Sequence, residues 1–280
     1  SLFDCCGGDL NPEFYFLCDL RSAWGIVVQV LTALGFLISL GLLLAVLVRW
    51  MCVCGPCGRR GVRGAACAST ALFLLAVAGI FALPYSFVVG LTEQTCPVRV
   101  FLFGVLFGLA FACLLARVLA VRGCRGRRGW TEPGLALALA LVQVVIAVEW
   151  LLVVMVRDRG PCSYSQEEFI MLLIYVMVLL AVATMLSLRF LCNSASYRLV
   201  DILTLLLSVA IWVVWITLLT RGNRELGHRP SWDDPVISIA LTANGWVLLL
   251  GVPCTWYLFG YCQDGTHHAS KNANYYSFLL

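Results

Sequence analysis

The chain has 280 residues, of which 61% are hydrophobic and 12% charged, and a formal net charge of +4; its mean hydropathy is +0.93. Soluble domains carry roughly 45–50% apolar and about 25% charged residues, so this chain has too few polar side chains to cover a water-facing surface. That excludes a soluble globular fold, intrinsic disorder and nucleic-acid binding as a main activity, and leaves lipid as the solvent.

Residues Ser1–Arg21 contain Asp4, Asp9, Glu13 and Asp19, with no basic start and no long apolar stretch. This is unlike a cleavable signal peptide, so the first apolar run is expected to act as its own insertion signal. Seven such runs follow, roughly Trp24–Val48, Ala66–Gly90, Val98–Val121, Gly134–Val156, Glu168–Leu191, Leu199–Thr220 and Pro235–Phe259. They are spans one to seven. Each is long enough to cross the hydrocarbon, which takes about 20 residues. They are continuous and lack period-two alternation, which predicts helices and not barrel strands. The predicted fold class is an all-α membrane protein, a seven-transmembrane helix bundle, with a short segment at 1–23, the bundle at 24–259 and a tail at 260–280.

Basic residues in short loops orient such a bundle. Arg49, Arg59, Arg60 and Arg63 follow span one, Arg122, Arg125, Arg127 and Arg128 follow span three, Arg189 and Arg198 follow span five, and Lys271 lies in the tail. Against these eleven stand seven on the other side: Arg21, Arg99, Arg157, Arg159, Arg221, Arg224 and Arg229. The bias predicts an N-terminus outside and a C-terminus inside.

The fourteen cysteines sort by side under that topology. Cys5, Cys6, Cys18, Cys96 and Cys162 face the oxidising side, where disulfides persist. Cys96 just before span three and Cys162 between spans four and five are expected to pair, pinning that loop over the bundle; the alternative is two free thiols. Cys18 is expected to pair with Cys5 or Cys6, and the sequence does not choose between them. Cys52, Cys54 and Cys57 form a C-x-C-x-x-C cluster, but a zinc site needs a fourth ligand, so no metal is expected. Juxtamembrane palmitoylation of these three and of Cys254 or Cys262 competes with a plain packing role.

The sole lysine, Lys271, lies in the tail, which excludes a retinal Schiff base within a span. No N-x-S/T sequon and no nucleophile–base constellation occur, and His228, His267 and His268 all lie outside the spans. No enzymatic activity and no cofactor are expected. A D-R-Y-type motif is missing, because span three ends Leu115-Ala116-Arg117-Val118.

Several stretches carry a family likeness: Trp24-Gly25-Ile26-Val27, Arg99 to Phe107 (RVFLFGVLF), Glu149-Trp150, Ile174-Tyr175-Val176-Met177 and Ser208 to Ile216 (SVAIWVVWI). Trp232-Asp233-Asp234-Pro235, Ile239-Ala240-Leu241 and Asn244-Gly245-Trp246 complete the set. Together, from about Cys18 to Pro253, the chain resembles the group 5 orphan receptors of the metabotropic-glutamate-like class (class C) of G-protein-coupled receptors, the retinoic-acid-inducible family. It is a divergent member: Pro253-Cys254 stands where the family has Pro-Glu, and Asn244-Gly245-Trp246 where it has Asn-Ala-Trp. The resemblance implies a plasma-membrane, multi-pass receptor with no large extracellular ligand-binding domain and no settled agonist. It further implies heterotrimeric G proteins as partners and homodimers through membrane faces, with the small residues of Leu135–Leu141 suiting close helix contact.

The resemblance also implies an ionic lock. Arg117 lies twenty-one residues after Cys96, and in that class a basic residue there pairs with an acid at the base of span six, for which Asp201 is the candidate. The alternative is Arg117 snorkelling to lipid phosphates while Asp201 serves its own helix. Glu149 is the other ionisable group at membrane depth, and such groups are functional suspects; burial between helices, a dimer face and a ligand cavity are its three readings. Trp212, Trp215 and Trp246 are read as the floor of an outer pocket or as core packing, and Asn244 as a hydrogen bond between helices. Trp232, Asp233, Asp234 and Pro235 open span seven, the acids capping the first turn and the proline suiting the first helical position. Arg122, Arg125, Arg127 and Arg128 form a basic loop suited to anionic membrane lipids and to a G protein. The rival readings are a signalling-silent scaffold and a transporter or channel; the latter would show internal repeats or broken helices.

Overall fold

The computed structural model describes residues 23–53, 60–88, 95–122, 131–158, 166–189, 196–222 and 236–251. Among them there is no strand, and seven helical segments appear in chain order. Span one is the helix Ala23–Val53, span two Arg60–Val88, span three Thr95–Arg122 and span four Thr131–Asp158. Span five consists of two helices, Gln166–Leu172 and Ile174–Arg189. Span six is Ser196–Thr217, continued by the wider π turn Leu218–Gly222, and span seven is Val236–Gly251.

Five helices are long and apolar enough to cross a membrane by themselves, and Ile174–Arg189 and Val236–Gly251 are shorter apolar helices. Several helices outrun their apolar runs. Arg49 belongs to span one, and Arg60 and Arg63 open span two, so these three charges are helical and not part of a loop. A helix satisfies its backbone hydrogen bonds internally, so it can continue past the point where its side chains turn polar. Arg99 is also corrected: it sits within span three and is 3% exposed, not on an outer loop. Span five departs most, because the apolar run Glu168–Leu191 predicts a continuous helix and the structure breaks it at Leu173.

Spans two and three form the axis of the bundle. In their apolar stretches 61% and 67% of residues are buried, against 22% in spans one and four. The fully buried phenylalanines follow that division: Phe73 and Phe81 come from span two, and Phe107 and Phe111 from span three. Lipid replaces water around the outer helices, so Leu37, Leu44, Leu141 and Leu152 point outward without penalty.

Candidate functional site

The polar side chains at the Arg117 end of the bundle come from four spans. Arg117, half-buried on span three, places its guanidinium carbon 5.7 Å from the ring centroid of Phe73 on span two. A guanidinium within about 6 Å of an aromatic face is attracted by the ring quadrupole. The Arg117 charge acts electrostatically on the half-buried Asp201 of span six and on the buried thiol of Cys113, one turn back along span three. Arg117 and Asp201 thus share one end of the bundle.

Sequence reasoning missed a second acid there. Glu132 lies in the first turn of span four, where an acid complements the helix dipole. Its Oε1 accepts a hydrogen bond from Ser69 Oγ of span two at 2.9 Å, and its charge also reaches Cys113. The available signal was Thr131-Glu132-Pro133, an acid and a proline at a helix start; beginning span four at Gly134 left it in a loop.

The middle of the bundle is aromatic. Trp212 of span six meets Phe107 edge-on, with ring centroids 5.2 Å apart and planes at 88°. It also lies 5.4 Å from Trp215 and 5.8 Å from Phe111. Trp215, also of span six, and Phe169 of span five both pack against Phe103, at 5.8 and 5.4 Å. These rings are buried and fill the space between spans three, five and six. Trp246 stands apart from them, T-shaped against Phe81 of span two at 5.7 Å, so the three tryptophans do not form one floor.

Asn244 is buried, but its Nδ2 donates to the Ala240 carbonyl one turn back in its own helix at 3.1 Å, not across helices. The cross-helix bond beside it joins Thr32 of span one to Thr242 at 3.0 Å. Thr242 Oγ1 already donates its single proton to the Ser238 carbonyl, so Thr32 is the donor. Glu149 is exposed on the exterior of span four, outside the aromatic cluster. A shallow apolar depression of about 250 Å³ lies along span five between Ala181 and Arg189, and no tryptophan lines it.

Arg122 closes the span-three helix, and Cys52 and Cys96 lie within helices without described side chains. Cys5, Cys6, Cys18, Cys54, Cys57, Cys162, Cys254, Cys262, Arg125, Arg127, Arg128 and Trp232–Pro235 fall outside the described residues.

Residues 18–253 match the family model described as "7 transmembrane sweet-taste receptor of 3 GCPR". The chain belongs to the class C G-protein-coupled receptors. Several of the relatives it matches are named as group 5 of that class. "G-protein coupled receptor family C group 5 member B" of Mus musculus is 42% identical over 88% of this chain and 61% of its own length. "G-protein coupled receptor family C group 5 member C" of Homo sapiens is 38% identical over 88% of this chain and 60% of its own. "Retinoic acid-induced protein 3" of Homo sapiens is 37% identical over 91% of this chain and 73% of its own. The chain therefore spans about three-fifths of the length of several of the relatives it matches. It is a multi-pass membrane protein of a receptor family, and neither the scaffold nor the transporter reading is favoured.

Proposed function

We propose that the chain is the membrane domain of an orphan plasma-membrane receptor that couples to heterotrimeric G proteins at its Arg117 end, with that end in the cytoplasm. The observation that supports this most is the placement of Arg117 where its charge acts on Asp201, across spans three and six. A charge pair at that depth feels a stronger mutual attraction than a surface pair, set against the cost of desolvating Asp201. Holding the two helix ends together closes the cavity that a G protein enters, and releasing them opens it. The balance between the two bundle states then sets basal activity.

The remaining readings attach to the same function. A Cys96–Cys162 bridge would tie the outer loop to span three, and Cys18 would pair with Cys5 or Cys6. Arg122, Arg125, Arg127 and Arg128 would meet anionic inner-leaflet lipids and the G protein. The acids and proline of Trp232–Pro235 would cap span seven. Glu149 on the exterior of span four favours a homodimer over a ligand cavity, because a lipid-facing carboxylate is costly until a partner covers it.

The test is ligand-free G-protein dissociation in cells, measured for every Gα class. Wild type is compared with Arg117→Ala and Asp201→Ala at matched surface expression. Each substitution is expected to raise basal coupling to the same class, by about fivefold or more for a lock worth 1 kcal/mol. Unchanged coupling in both variants would sink the lock, and no coupling in any class would leave a receptor that needs an agonist or a silent scaffold.

A further inference from the structure

The break in span five has no cause in its own sequence. Residues 166–189 contain neither proline nor glycine, the usual sources of a sharp helix break. Across the junction Leu173 N donates to the Ile170 carbonyl three residues back, at 2.9 Å, and Met177 N to the Leu173 carbonyl, also at 2.9 Å. Another cause is a side chain that bonds into the backbone ladder, and one is placed to do so. Gln143 of span four is fully buried, and its Nε2 donates to the Leu172 carbonyl at 3.3 Å.

Two glycines make room for that amide. A methyl group on Gly104 of span three would lie 2.8 Å from Gln143 Nε2, and one on Gly108 would lie 2.9 Å from Gln143 Cγ. The contact is returned one turn away. Tyr175, just past the break, donates its hydroxyl to the Leu139 carbonyl of span four at 3.1 Å. Each helix thus gives a side-chain donor to a carbonyl of the other, four residues apart on span four and three apart on span five.

The short segment above the break, Gln166–Leu172, has one large buried ring, Phe169. It packs edge-on against Phe103, which touches both Trp212 and Trp215 of span six. We propose that Gln143 and Tyr175 form a clasp that holds span five broken. The clasp makes Gln166–Leu172 a separate lever, whose position is passed through Phe169 and Phe103 to the span-six tryptophans. Gln143 is a positioning residue in this scheme. The inference rests on the seven-span bundle and is independent of Arg117 and of coupling.

The test uses the chain in lipid nanodiscs with 5-fluorotryptophan, read by fluorine NMR. The lines of Trp212, Trp215 and Trp246 are assigned by single Trp→Phe variants. Gln143→Leu removes the donor at similar volume, and Tyr175→Phe removes only a hydroxyl and serves if the first variant does not fold. In both, the Trp215 or Trp212 line is expected to move by more than its width while Trp246, packed on Phe81, stays. Span-six lines that stay within their width in both variants, or a Trp246 line that moves as far, would overturn the clasp. Either result leaves the basal-coupling experiment untouched, so the two readings fail separately.

Discussion

Ser69 Oγ and Glu132 Oε1 meet at 2.9 Å although the residues are 63 positions apart. The bond ties span two, part of the bundle's axis, to the first turn of span four. Ser69 is 2% exposed, so a lost acceptor would leave a buried hydroxyl unsatisfied. Ser69→Ala should lower stability by about 1 kcal/mol, read as a fall of about 2–4 °C in apparent melting temperature. Glu132→Gln keeps an acceptor and should cost less than Glu132→Ala. Equal losses for Gln and Ala, measured by thermal denaturation in detergent, would mean that the hydrogen bond contributes nothing beyond the charge.

Arg117 gives a second prediction, because its guanidinium stacks over Phe73 as well as acting on Asp201. Arg117→Lys keeps the charge but loses the planar face. It should cost about 0.5–1 kcal/mol, and Phe73→Leu should cost more through lost packing. Combined, the two should be less than additive, since each removes the same contact. A double-mutant cycle on melting temperature checks this, and strict additivity would show that the stacking carries no energy.

The helices were legible in the sequence because an apolar run of membrane length has few other uses. Which face of each helix points inward was not legible. Spans one and four are apolar on nearly every side, so periodicity carries no direction. That is why Glu149 could be read as buried, and why Trp246 was grouped with Trp212 and Trp215 although its partner is Phe81. The break in span five was invisible for a different reason: its cause, Gln143, sits on span four, and the space for it is made by two glycines on span three. Asp201 and Arg117 stand out in the sequence because charges at membrane depth are rare. Glu132 was passed over because it lies where an apolar run begins.

The Thr32–Thr242 bond and the Asn244 amide make opposite predictions. Hydrogen bonds between spans average about 0.6 kcal/mol, so Thr32→Val should destabilise by roughly that much. Asn244 bonds only within its own helix among the described residues, and its Oδ1 is buried there with no hydrogen-bond partner. Asn244→Leu removes a desolvated polar group of similar volume and should be neutral or stabilising. A loss above that of Thr32→Val, measured by thermal denaturation in the same detergent, would show that Asn244 Oδ1 has a partner outside the described residues.

Phe81 is fully buried, and its ring lies against two glycines, Gly35 of span one and Gly245 of span seven. A methyl group on Gly245 would come within 2.8 Å of Phe81 Cε1, and one on Gly35 would clash with the same ring edge. The ring is stiff, and Trp246 packs against it, so it cannot retreat cheaply. Gly35→Ala should therefore cost about 1–3 kcal/mol through overpacking, more than the gain expected from replacing a helical glycine, about 1 kcal/mol. Phe81→Leu should be destabilising alone yet recover part of the Gly35→Ala loss, because the smaller side chain clears the methyl. The melting temperatures of the two single variants and the double variant decide it. Recovery in the double variant places the conflict at the Phe81 ring, and a double variant worse than the sum of the singles would show that span one approaches span two at some other point.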